Sequence, residues 1–125
     1  MTNNHVFDLE ERTIVFAEEV VTLLKKIPLT PFNRRIIDQL VGSVGSIGAN
    51  YCEATEAESK KDFIHKISIA KKEAKETKHW LRLLAKAQPE AIVQLREFWK
   101  EADALTKILY RTVQTAKNNL KLPEN

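Results

Sequence analysis

Apolar residues recur along this chain at steps of three and four, the spacing that lines one face of an α-helix. No window alternates with the period of two that a half-buried strand requires. The first periodic segment opens at Asp8 with Glu11 three residues on, the spacing of a capping box. Ile14, Ala17, Val21 and Leu24 then form one stripe, and Phe16, Val20, Leu23 and Ile27 a second beside it. Two adjacent stripes make a wider apolar arc than a single neighbouring helix needs. Pro28 and Pro31 end the segment, since each lacks an amide donor and restricts the residue before it. The pattern predicts a helix over 9–27.

Thr30 can cap a second helix over 31–57, with Pro31 in its first turn. Its inward positions are Ile36 or Ile37, Leu40, Val44, Ile47, Tyr51 and Ala54. A third helix is predicted over 59–87, opened by Ser59 and Asp62 in capping-box spacing. Phe63, Ile67, Ala70, Ala74, Thr77, Leu81 and Leu84 give it an almost unbroken heptad seam. Pro89 suits the first turn of a fourth helix, over 89–118. There Ile92, Leu95, Trp99, Ala102, Leu105, Leu109, Thr112 and Ala116 repeat the pattern, and Asn118, Asn119 and Pro123 close the chain.

Long helices joined by short connections favour antiparallel neighbours, so the expected fold is all-α, an up-down-up-down left-handed four-helix bundle. A chain of 125 residues makes a single domain of this, 1–125, and shows no internal repeat that would support a solenoid. Gly42, Gly45 and Gly48 stand at steps of three within the second helix. With Ser43, Ser46 and Ala49 they offer a small-residue surface for close approach of another backbone; the alternative is a bend near Gly48. The single cysteine, Cys52, excludes an internal disulfide framework and is expected to be a buried, inert thiol. No apolar run nears eighteen residues and Met1–His5 opens nothing like a leader, so the expectation is a soluble, cytoplasmic chain without membrane contact.

Net charge is only +3, but it is unevenly placed. Between Lys60 and Arg82 eight basic residues face three acids, which leaves the remaining chain slightly negative. On a helical wheel Lys71, Lys75, Lys78, Arg82 and Lys86 fall within roughly 80° of arc, beside the seam and away from Asp62, Glu73 and Glu76. Such a ridge suits a phosphate backbone, although lysine-rich helices also present cations simply to solvent. Ile69, Trp80 and Leu83 belong to neither seam nor ridge and suggest a protein interface.

Catalytic chemistry is sparse. Glu76 and His79 form a Glu-x-x-His element, and Asp62 and His65 a near relative, as in di-iron bundles. Both lie on one helix, roughly 21 Å apart at 1.5 Å per residue, and cannot share a metal within a chain. Gly42-Ser-Val-Gly45 matches a GXXG loop formally, without the strands such a domain requires. The residues present no nucleophile elbow or phosphate-binding loop, and the expectation is a non-enzymatic protein with no metal and no cofactor.

One stretch is more specific. Asp38-Gln39-Leu40, then Ser46-Ile47-Gly48-Ala49-Asn50-Tyr51-Cys52-Glu53, resembles the signature of a bacterial four-helix-bundle family encoded in intervening sequences of large-subunit ribosomal RNA genes. That family is also similar to the accessory variability determinant of diversity-generating retroelements. Lys61-Asp62-Phe63, Ile69-Ala70 and Glu76…Trp80-Leu81 continue the match, which covers about residues 8–115. The resemblance implies a homopentameric ring with a basic surface suited to RNA or DNA, and, for the retroelement relatives, a reverse transcriptase partner. It implies no enzymatic activity. Gly48 stands where many members have proline, and Ala54 follows Glu53 in place of glycine, which favours a more continuous second helix.

The signature residues Ser46, Asn50 and Glu53 read as structural. Asn50, on a largely apolar face, needs partners for both ends of its amide, and helix-terminal or connecting-loop carbonyls are the candidates. Two functions follow from the whole sequence: an oligomeric nucleic-acid-binding protein using the basic ridge, or a protein–protein adaptor with no affinity for nucleic acid of its own.

Overall fold

The structure is a computed structural model that describes residues 8–121. Met1–His5 and Pro123 therefore lie outside the described residues. Four helices and no strand are found among those described: α1 (Leu9–Leu24), α2 (Arg34–Thr55), α3 (Lys60–Ala87) and α4 (Ile92–Lys121). Each expected capping box forms its N-cap half. The Asp8 carboxylate accepts from the Glu11 amide at 3.1 Å, and Ser59 Oγ from the Asp62 amide at 3.0 Å.

Several boundaries differ from the sequence pattern. Helix α1 stops at Leu24 because Lys26 and Ile27 bond to carbonyls only three residues back, a tightened last turn ahead of Pro28. Helix α2 begins at Arg34, after a turn over 31–33 that Thr30 holds by accepting from the Phe32 and Asn33 amides at 3.2 and 3.1 Å. Pro89–Ala91 forms a single 3₁₀ turn before α4, which then runs through Asn118 and Asn119 to Lys121. Helix α2 carries all three glycines without interruption, and none has a positive φ.

The core is built from Val20 and Leu23 of α1, Leu40, Val44 and Ile47 of α2, Ile67, Ala70, Ala74, Leu81 and Leu84 of α3, and Leu95, Ala102, Leu105 and Leu109 of α4. Of the two stripes, the one through Phe16, Val20, Leu23 and Ile27 is buried throughout, and of the other only Leu24 is fully buried. Ile14 and Val21 are exposed. Helix α1 rests on α2 and meets α4 along a single line, where Phe16 packs edge-on against Phe98 at 6.1 Å and Arg12 grips both oxygens of Glu101 at 2.7 and 3.0 Å. A narrow seat needs only a narrow stripe. On α4 the expected core position Thr112 is half-buried and its neighbour Val113 takes the inward place.

Two buried polar features key the elements together. Thr77 Oγ1 of α3 lies 3.0 Å from Ser43 Oγ of α2 inside the core. Asn33 is fully buried and uses its whole amide: Oδ1 accepts from the Thr30 amide at 2.8 Å, while Nδ2 donates to the Pro28 carbonyl at 3.0 Å and to Gln88 Oε1 at 3.1 Å. This ties the α1–α2 connection to the α3–α4 connection.

Candidate nucleic-acid interface

Helix α3 is 28 residues, roughly 42 Å at 1.5 Å per residue, and one flank of it packs on α4. That packing divides the basic ridge. Lys78 turns towards α4, where Nζ pairs with Asp103 at 3.0 Å and sits 5.1 Å from the centre of the Trp99 ring. Lys71 is half-buried, with Nζ 5.5 Å from the centre of the Tyr110 ring. Asp103 is also held by Lys107 at 3.1 Å, and hydrogen bonds from Lys78 and Lys107 keep its carboxyl below the usual carboxylate range. Lys78 is therefore a neutralised, aromatic-stacked cation and not an open one.

Lys75, Arg82 and Lys86 stand exposed, and none enters an ion pair among the described residues. Lys61 and Lys72 are exposed on the same side of α3. These five cations span roughly 80° of the wheel and, from Lys61 to Lys86, roughly 37 Å of helix. The exposed stripe is thus rotated away from α4 relative to the ridge read from sequence. His79 borders a shallow concavity on it with Ser68, Lys71, Lys72, Lys75 and Glu76. His65 is also exposed, and the described residues bring no group of three or more His, Cys, Asp or Glu together.

Charge on the far side has the opposite sign. Helix α1 exposes Glu10, Glu11, Glu18 and Glu19, and the groove between α1 and α4 adds Glu97 and Glu101. A third charged region lies at the end of the molecule built by the α1–α2 connection. Residues 25–35 hold Lys25, Lys26, Arg34 and Arg35 with no acid, all four exposed. Phe32 stands among them 84% exposed.

A family model for the 23S rRNA-intervening sequence protein matches residues 7–111. The chain belongs to that family. A crystal structure of a protein of unknown function from the S23 ribosomal protein family of Bacteroides thetaiotaomicron is similar to it, with 32% identity and a TM-score of 0.72. The match covers 83% of this chain and 96% of that one. No curated protein matches the chain significantly.

The family signature folds as part of α2. Asn50 is half-buried and donates to the Ser46 carbonyl of its own helix at 2.9 Å, so it does not reach a connecting loop. The residue that does is Asn33, an N-terminal neighbour of α2 that helical spacing alone would assign to a cap. Glu53 pairs with Lys66 at 2.6 Å and joins α2 to α3. Gly48 is the close-approach glycine: a Cβ there would stand 2.9 Å from Thr13 Oγ1 of α1, whereas Gly42 and Gly45 face open space.

Cys52 is half-buried, not enclosed; burial and the neighbouring Glu10 push its thiol up, away from the reactive thiolate. Trp80 is half-buried, yet its indole Nε1 is shut off from solvent without a hydrogen-bond partner. The basic end around Phe32 carries no helical periodicity. Its signal in the sequence is a run of four bases, an aromatic and no acid.

Proposed function

We propose that this chain is a non-enzymatic, self-associating protein that binds RNA or DNA through the outer face of α3. The observation that carries the reading is the row of Lys61, Lys72, Lys75, Arg82 and Lys86, exposed along one side of a long helix and without an ion pair among the described residues, with four exposed glutamates on α1. Each neutralised phosphate releases counterions, so affinity arises without any sequence-reading group. Lys71 supplements the row beside Tyr110, and Lys78 supplies packing against Trp99 more than free charge.

In this reading the helices run up-down-up-down in a left-handed bundle. The pairs Ser43–Thr77 and Glu53–Lys66, then Lys71–Tyr110 and Lys78–Asp103, support reversed directions, because one number rises as the other falls. Self-association, as a pentamer by family resemblance and in the cytoplasm, is supported by exposed Val41 and Leu83. The same features favour the second reading, an adaptor that receives another protein such as a reverse transcriptase.

Fluorescence titration of a labelled RNA or DNA duplex at two salt concentrations separates the readings. Five phosphate contacts on duplex DNA give a log–log salt slope of roughly −4 to −5. Reversing Lys75 and Arg82 to Glu removes duplex binding. Absence of binding at low salt, or affinity unchanged by the reversal, leaves only the adaptor.

A further inference from the structure

The exposed stripe on α3 ends at Lys86, two residues before Gln88, and Gln88 accepts a hydrogen bond from the Asn33 amide at 3.1 Å. The α1–α2 connection therefore sits against the end of the stripe. Resting on the nucleic-acid reading above, we propose that this end is a separate site for single-stranded nucleic acid. Phe32 stacks on an unpaired base, and Lys25, Lys26, Arg34 and Arg35 hold the phosphates on either side.

The local chain is built to hold the ring out. Pro28 and Pro31 restrict the backbone on both sides of Thr30. Thr30 Oγ1 accepts from the Phe32 and Asn33 amides, and the Arg34 amide returns to the Thr30 carbonyl at 3.1 Å. Asn33 is drawn fully inside by its three hydrogen bonds. With its neighbour pulled inward in so tight a turn, Phe32 is left 84% exposed. An aromatic ring held in water forgoes the stabilisation of burial. Nothing within the described chain covers it.

The surroundings identify the occupant. A base offers a flat π-face, and stacking is tolerant of its identity. A strand also brings one phosphate per nucleotide, which suits four exposed bases in eleven residues. The acids nearby are Asp38, one turn into α2 from Arg34, Glu90, whose carboxylate is engaged by Gln88, and Glu18, Glu19 and Glu97, which line a groove with Lys26. Leu29 and Val93 are exposed at the same end and would suit an apolar protein partner, but neither accounts for four cations. On the α3 stripe no Phe, Tyr or Trp of the helix itself is exposed, so the two surfaces divide the work: backbone contact along the helix, base contact at its end.

The test uses the full chain and two labelled probes, a twelve-nucleotide oligothymidylate and a 24-base-pair DNA duplex, against Phe32→Ala, Phe32→Leu and Phe32→Tyr. Loss of one stacked base weakens single-strand binding about 5- to 150-fold in the Ala and Leu variants. The Tyr variant retains it, and duplex affinity changes less than twofold. Circular dichroism checks that each variant folds. Single-strand affinity indifferent to Phe32→Ala overturns the site, while loss of duplex binding on Lys75 and Arg82 reversal would still support the α3 reading. Full affinity in Phe32→Leu also overturns it, since an apolar contact would then suffice. A fall in oligomer mass on light scattering of Phe32→Ala would assign the ring to self-association instead. If neither probe binds the parent at low salt, both readings fall together.

Discussion

Gly48 and its two companions have opposite roles, though they sit at identical spacing on one helix. A methyl group at Gly48 meets Thr13 Oγ1 at 2.9 Å and Thr13 Cβ at 3.3 Å, so α1 must shift away from α2. Gly48→Ala is expected to lower stability by about 1–2 kcal/mol, the overpacking cost less the gain in helix propensity. Gly42→Ala and Gly45→Ala meet nothing within 4 Å and should each raise stability by up to about 1 kcal/mol. Urea denaturation of the three variants checks the contrast; three equal shifts would remove the close approach. The sequence showed a patch of small residues, but which glycine has a neighbour depends on how α1 lies across α2. The same holds for Asn50 and Asn33: their composition is identical, and only placement gives one of them a loop to hold.

The elements are joined by a few specific contacts outside the apolar seam. Asn33→Ala deletes three hydrogen bonds and leaves the Thr30 amide and Gln88 Oε1 without their partner, an expected cost of about 2–4 kcal/mol. Asn33→Asp has nearly the same volume but cannot donate to Pro28 or Gln88, so it should be destabilising as well; a neutral Asp variant would contradict the assigned network. Between α3 and α4, Asp103 binds Lys78 and Lys107 with its carboxyl held low. A lowered carboxyl contributes stability above its unfolded pKa and loses that contribution as pH falls through the folded value. The acid limb of a pH–stability curve should therefore flatten in Asp103→Asn, measured by thermal unfolding between neutral and acidic pH. Helix positions and the N-caps Asp8 and Ser59 were legible in the sequence because they depend on residues three and four apart. The ends of α1 and α2 were not, since Thr30 and Asn33 hold a turn whose partner lies across the molecule.

At the scale of the whole molecule, charge segregation sets the behaviour. Basic residues line α3 and the α1–α2 end, and acids line α1. Freeing Lys78 by Asp103→Asn adds one cation to the face that the duplex would use. The expected outcome is a salt slope for duplex binding steeper by up to about 0.9, with tighter binding at low salt. An unchanged slope would show that Lys78 stays on Trp99 without its carboxylate. The ridge was half legible in the sequence. A wheel places five cations on one arc, but it cannot show that α4 approaches from one side and takes two of them.

By itself the sequence determined four helices, the N-caps of two of them, most of the buried seam and the family signature, because each rests on short-range periodicity and on residue types in fixed spacing. Only the tertiary structure decided which stripe of α1 is buried, which glycine touches a neighbour, which lysines remain open, and that Asn33 turns inward while Phe32 is left in water. Those outcomes depend on contacts between helices and connections far apart in the chain. Local pattern fixes the face of a helix, and the neighbour that arrives there fixes what the face can do.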